Sequence, residues 1–180
     1  MCTGSGALAL LAASDRRRDV VAVDVSSRAV ATARANARLR GLRVEVLRGD
    51  LFEPVSDHTF HLVLANPPYV PTRPRATNGY DRRWDAGEDG RIVIDRLCRE
   101  VHDRLRPGGV LLLVQSALSG VAPTVDALRE AGLRTRVVER TLVPFGPVLN
   151  GRAQWLEERG LVDRGQREEE LVVIRAQRAA

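Results

Sequence analysis

The chain has 180 residues, a hydrophobic fraction of 44% and a charged fraction of 28%, the balance of a soluble globular protein large enough for a true core. No apolar run approaches the ~18 residues of a membrane span, and no secretory signal is visible. The formal charge is +5, and all 28 basic residues are arginines, scattered rather than striped. That pattern reads as a solvated basic surface, with a phosphate-rich partner such as RNA as the sharper alternative.

Cys2 and Cys98 are far apart, and neither they nor His58, His61 and His102 form a metal-ligand spacing. No metal is therefore expected, and a reducing cytoplasm is the simple location.

In chain order, Met1 to Gly6 is a glycine-rich turn leading into the apolar stretch Ala7 to Ala13. Glycines allow a tight turn and close backbone approach to a ligand at a helix start. Gly4, Gly6 and Ala9 fit a G-x-G-x-x-A pattern, which is weak alone. Val20 to Val25 follows as a strand apolar on both faces, with Asp24 lying 20 residues after Gly4. At that spacing an acid reaches ribose hydroxyls in nucleotide-binding α/β units. Ser26 or Ser27 caps a helix to about Arg40, with Val30, Ala33 and Ala37 on one face and Gly41 ending it.

Leu42, Val44 and Val46 alternate with polar residues as in a strand, which leads to Gly49-Asp50-Leu51. Asp50 is either a turn residue or an acceptor for an adenine amino group. A further strand, His61 to Ala65, runs into Asn66-Pro67-Pro68-Tyr69. The prolines stiffen the backbone and remove two donors, leaving outward carbonyls beside an amide and an aromatic ring. From Val70 to Gly90 a long loop holds Pro71, Pro74, Gly79, Tyr80, Trp84, Asp85, Gly87, Glu88 and Asp89, and is expected to be a lid or substrate loop.

Ile94, Leu97, Cys98, Val101 and Leu105 then mark a helix stripe, making Cys98 a core residue and leaving His102 exposed. Pro107-Gly108-Gly109 reads as a sharp turn. Beyond it are a strand at Val110 to Val114, a helix at Pro123 to Ala131 and a strand at Leu133 to Val143. A short helix is expected at Asn150 to Arg159, and a last strand at Glu170 to Arg175. The alternation predicts one α/β domain over residues 1–180, Rossmann-like, with a mostly parallel sheet and helices on both faces.

The ordered set of glycine turn, Asp24, Asp50 and Asn66-Pro67-Pro68-Tyr69 resembles the class I S-adenosylmethionine-dependent methyltransferases that modify planar nitrogens. Arg83-Trp84-Asp85-Ala86-Gly87-Glu88-Asp89-Gly90-Arg91 further resembles the HemK/PrmC family of release-factor glutamine methyltransferases, in its short form without an N-terminal helical domain. The likeness runs from Met1 to about Leu142 and is most specific in 66–97; it assigns no role to Val143 to Gly165.

The resemblance implies S-adenosylmethionine as cofactor. The Thr3, Gly4 and Gly6 backbone would approach its methionine part, Asp24 would bind its ribose hydroxyls, and Asp50 and Leu51 would contact its adenine, with Val25 and Asn66 also in the cofactor site. It makes Asn66, Pro67 and Tyr69 catalytic. Asn66 and the Pro67 carbonyl would accept from the substrate NH2, while Pro68 and Tyr69 complete the substrate site. It implies a peptide chain release factor as substrate and a small activator subunit as partner. Adenine N6 methylation of DNA or RNA is the enzymatic alternative, and a truncated, non-catalytic cofactor-binding domain is the other. The family's first strand should precede the glycine turn. Its absence leads to the expectation that the start is internal to a longer frame, or that the chain is a truncated product.

Overall fold

The computed structural model of the chain describes residues 1–73 and 86–180. Pro74, Gly79, Tyr80, Arg83, Trp84 and Asp85 of the long loop lie outside the described residues.

Among the described residues five α-helices and six strands follow in the order α1 (Ala7–Ala13), β1 (Val21–Asp24), α2 (Ser27–Leu39), β2 (Glu45–Arg48), β3 (Phe60–Ala65), α3 (Ile92–Arg104), β4 (Leu105–Ser116), α4 (Val121–Glu130), β5 (Arg134–Pro144), α5 (Pro147–Glu158) and β6 (Glu168–Gln177). Local chemistry sets several boundaries. The Ser26 side chain accepts from the Ala29 N–H at the start of α2, and Gly41, at a φ of 59°, turns the chain after it. The α3 stripe packs as its spacing predicts: Ile94, Leu97, Cys98 and Val101 are all buried.

Neighbouring residues of β1 show that helices cover both faces. Ala22 packs with Val30, Ala33 and Val46, whereas Val23 faces the main core with Leu97, Val101 and Leu128. Alternate strand residues point to opposite sides, so α2 lies on one face and α3 and α4 on the other.

Pairing is parallel for β1 with β2 and for β3 with β4. The C-terminal strand β6 inserts antiparallel between β4 and β5, which makes the sheet mixed. The Pro107-Gly108-Gly109 turn persists as a bulge within β4, where pairing to β3 steps from Phe60–Leu105 to Leu62–Val110. Gly109 is needed there, because a Cβ would sit 2.8 Å from the Phe60 carbonyl oxygen.

The ladders form two sheets, β1–β2 and β3–β4–β6–β5. Between the facing strands β1 and β3 lie the first residues of the chain. The Met1 ammonium donates to the Leu64 carbonyl at 2.7 Å, and the Thr3 N–H donates to the Val23 carbonyl at 3.1 Å. A third apolar cluster, separate from both sheets' cores, joins Phe145, Leu149, Ala153, Trp155, Leu156 and Val162 and rests on Val70 and Leu118. It organises the segment after Val143, for which residue pattern alone offers no role.

Candidate active site

The residues singled out by sequence gather at the C-terminal ends of β1, β2 and β3, the end where open α/β sheets hold ligands. Asp24 closes β1. Its Oδ2 accepts from the Gly4 N–H at 2.8 Å and its Oδ1 from the Ser26 N–H at 2.9 Å. Each oxygen keeps a further lone pair, so the carboxylate ties down the glycine turn and can still accept from hydroxyls. Gly4 (φ 54°) and Gly6 (φ 89°) both adopt the left-handed region. Gly4 has no atom within 4 Å of the place a Cβ would take, whereas at Gly6 that Cβ would meet Ala33 Cβ at 3.1 Å. Gly4 therefore leaves open space for a ligand, and Gly6 lets α1 sit close to α2. Val25, just beyond Asp24, is exposed.

Cys2 lies under the turn. Burial pushes its thiol up to about 11, and the nearby Asp24 and Asp50 carboxylates push the same way against the N-terminal ammonium. The ammonium is itself lowered by burial. A thiol held this far up is not a nucleophile at neutral pH. Cys98, pushed by burial to about 12, is equally inert in the core. His102 is half-buried rather than fully exposed, with its Nδ1 3.0 Å from Asp103.

Asp50 is not open as it stands. Arg96 Nη1 donates to its Oδ2 at 3.0 Å, with both side chains substantially exposed. Such a solvated pair is worth little and yields readily to a ligand. Beside it is a hollow of about 440 Å³ lined by Asp50, Phe52, Glu53, Arg96, Glu100 and Arg104, which reaches neither Asp24 nor Asn66. Leu51 has a φ of 46°, unusual for a branched residue. That turn sends its side chain into the core, where it is buried, so only its backbone can line a site.

At the end of β3, Asn66 is exposed and Pro67 buried, while Pro68 and Tyr69 are half-buried. Among the described residues the Asn66 amide makes no hydrogen bond, so its oxygen is available as an acceptor. Burial raises the Tyr69 phenol, with the Glu169 carboxylate adding to the shift, so the ring stays neutral. Gly90 packs against the tetrapeptide so closely that a Cβ there would stand 2.2 Å from the Tyr69 carbonyl oxygen, at a φ of 74°. Glycine alone fits.

Four further residues around the site were not among the expected site residues. Arg91 Nη1 donates to the carbonyls of Ser119 (2.6 Å) and Gly120 (2.9 Å) and to Thr124 Oγ1 (3.1 Å), and its Nη2 donates to Asp95 (2.6 Å). Arg96 holds Asp50. Arg152, on α5, donates to the carbonyls of Val70 and Pro71. Glu169, on β6, is 7% exposed, and its Oε2 has no partner among the described residues. In an arginine-rich chain an arginine marks nothing by itself. Only the position of Arg91, directly after Asp89-Gly90 at a helix start, offered a hint.

Comparison with known proteins identifies the family. Residues 1–141 match the family model of the methyltransferase small domain. A chain from Methanocaldococcus jannaschii, provisionally named a protein N5-glutamine methyltransferase, is 33% identical over 144 residues, covering 79% of this chain and 73% of its own. A release factor glutamine methyltransferase from Deinococcus radiodurans is 41% identical over 165 residues, covering 87% of this chain. The chain spans about three quarters of the archaeal relative but 55% of the Deinococcus one. In fold it is similar to the E. cuniculi Mtq2–Trm112 complex responsible for methylation of the termination factor eRF1, with a TM-score of 0.62 and 22% identity over 98% of this chain and 81% of that one. With the class I methyltransferase fold in place, the chain belongs to the methyltransferase small-domain family, among the HemK/PrmC-type glutamine methyltransferases.

Proposed function

We propose that residues 1–180 act as one methyltransferase domain that transfers a methyl group from S-adenosylmethionine to the side-chain amide nitrogen of the glutamine in the Gly-Gly-Gln loop of a peptide chain release factor. The observation that carries this reading is the exposed Asn66 amide at the end of β3, without a hydrogen bond among the described residues, on a backbone stiffened by Pro67 and Pro68 and flanked by Tyr69. The residues present fit the cofactor: Asp24 has lone pairs to spare for two ribose hydroxyls, and Gly4 leaves its backbone open to a ligand.

When bound, the cofactor supplies an activated methyl on a sulfonium sulfur. The chain's own work is orientation. An amide nitrogen is a poor nucleophile, because its lone pair is shared with the carbonyl. The Asn66 side-chain oxygen and the Pro67 carbonyl accept from the two N–H groups, localise electron density on nitrogen and aim it at the methyl. Tyr69 packs against the planar amide. One N–C bond forms, one C–S bond breaks, and the extra proton leaves to solvent, so no dedicated base is required. A small activator subunit is part of the same proposal.

The test is to incubate the chain with S-adenosylmethionine and a release factor and to map methylation by mass spectrometry. One added methyl on the Gly-Gly-Gln glutamine is expected. Asn66→Ala should lower the rate about 100- to 1000-fold with cofactor binding retained, as when one transition-state hydrogen bond is removed. Methylation of adenine and not of the release factor would replace the reading with a nucleic-acid one. Absence of any calorimetric cofactor binding would leave a non-catalytic domain.

A further inference from the structure

The segment after Val143 has its own apolar cluster, and what that cluster rests on is informative. Phe145, Leu149, Trp155 and Leu156 pack against Val70, the residue that follows the tetrapeptide, and against Leu118. On the same helix, Arg152 Nη1 donates to the Val70 carbonyl at 3.1 Å and the Pro71 carbonyl at 2.9 Å, across 82 and 81 residues of sequence.

Those carbonyls need a donor from outside. Pro67, Pro68 and Pro71 contribute no N–H, and the stretch lies in no ladder. A charged donor shared by two carbonyls is stronger than a neutral one and sets the direction of both peptide planes.

Both flanks of the loop meet the C-terminal end of the same helix. Arg159 Nη2 contacts Glu88 at 2.5 Å, Arg73 and Glu158 pair at 3.8 Å, and the Thr72 N–H donates to the Gly87 carbonyl at 2.9 Å. On the other side, Gly90 packs onto Tyr69.

We propose that α5 is the positioning element of the substrate clamp: Arg152 fixes the Val70 and Pro71 peptides and through them the direction in which Tyr69 and the Pro67 carbonyl face the substrate. This deepens the proposed function and rests on it for the identity of the substrate. Arg152 touches neither substrate nor cofactor; it acts through Tyr69 to Pro71. A shift of about 1 Å in a positioning segment is enough to cost on the order of 100-fold in rate.

Two readouts test it on the whole chain. In steady-state methylation of the release factor, Arg152→Ala should raise KM for the protein substrate about tenfold and lower kcat several-fold, while the calorimetric Kd for S-adenosylmethionine changes by less than about twofold. Arg152→Lys, which keeps a charged multiple donor but not the planar fork, should recover part of the loss, and Arg152→Gln less. Unchanged KM and kcat in Arg152→Ala would overturn the proposal, as would a loss that Arg152→Lys fails to relieve. The second readout needs no substrate. Hydrogen exchange at the Thr72 amide should quicken about tenfold in Arg152→Ala with the β4 and β6 amides unaffected; a Thr72 rate equal to wild type would overturn the proposal. If wild-type chain leaves the release factor unmodified, the functional reading fails, and the Thr72 measurement still decides the clamp. If Arg152→Ala does not fold, Arg152→Gln carries both readouts.

Discussion

At Glu169 a carboxyl is buried among the strands behind Tyr69. Burial raises its pKa, offset in part by a hydrogen bond from the Ser116 side chain. The folded protein therefore holds this proton to a higher pH than the unfolded chain does. Where the folded form binds more protons, stability falls as pH rises. Glu169 thus favours the folded state fully below the ordinary glutamate range, and that favour is lost as pH climbs through the raised folded value. Above it the cost stays constant, that of a buried charge whose Oε2 has no partner among the described residues. Glu169→Gln removes the charge and keeps the shape. It should raise Tm at neutral pH and flatten the fall in Tm that begins as pH rises above the glutamate reference value. Calorimetric melts of both proteins across that rise in pH check it; parallel profiles would show that the carboxyl is neutralised by a partner in solution.

Among the elements, those with a strict pattern are legible from residue order alone. The α3 stripe, the two-faced apolar strand β1 and the cap at Ser26 all follow from residue spacing. So does the candidate site, because Asp24 and Asn66 sit at strand ends, where an α/β sheet presents its chemistry. Elements held by side chain to backbone contacts are not legible in this way. Arg152 binds carbonyls, and any residue offers a carbonyl, so no sequence pattern records the pairing. Arg91 is the same case at the start of α3. Its guanidinium, 12% exposed, holds the Ser119 and Gly120 carbonyls at the turn between β4 and α4 and is paired with Asp95. Arg91→Ala leaves these acceptors without a donor and should cost about 2–4 kcal/mol, the usual size of the loss when buried groups are stripped of a charged partner. Arg91→Lys should recover only part, since one ammonium cannot reach both the turn and Asp95 in a planar fork. Urea unfolding at fixed m-value measures both; a loss below about 0.5 kcal/mol, the size of an ordinary surface change, would show the turn to be self-supporting.

For the whole molecule, the order of β and α elements was readable, but strand direction at the C-terminal side was not. An apolar strand such as β6 reads the same whether it runs parallel or antiparallel, and only the path of the chain through α5 decides. The division into two sheets has a sharper consequence. Glu45 and Gly49 donate their N–H groups to the carbonyls of Val20 and Asp24, so the even-numbered residues of β1 turn their peptide groups toward β2. Val21 and Val23 then face the opposite way, toward β3, and the Thr3 N–H reaches the Val23 carbonyl on that side. In β3 the Leu64 carbonyl takes the Met1 ammonium, so Leu62 and Leu64 face β1. Among the described residues, the N–H groups of Val21 and Leu62 therefore point into the seam between β1 and β3, where neither ladder supplies an acceptor, Leu62 being itself exposed. Hydrogen exchange follows pairing more than distance from the surface. The Val21 and Leu62 amides should exchange on the order of 100-fold faster than those of Leu113 and Ile174, whose strands are paired on both sides. Equal protection would mean that the β1 and β3 edges are bonded in solution by backbone other than Met1 to Thr3. The same measurement on chain bound to S-adenosylmethionine separates the two halves further. A ligand held by Asp24 and the glycine turn should slow the Thr3 and Gly4 amides at the upper end of this seam, while Val21 and Leu62 at the lower end stay fast.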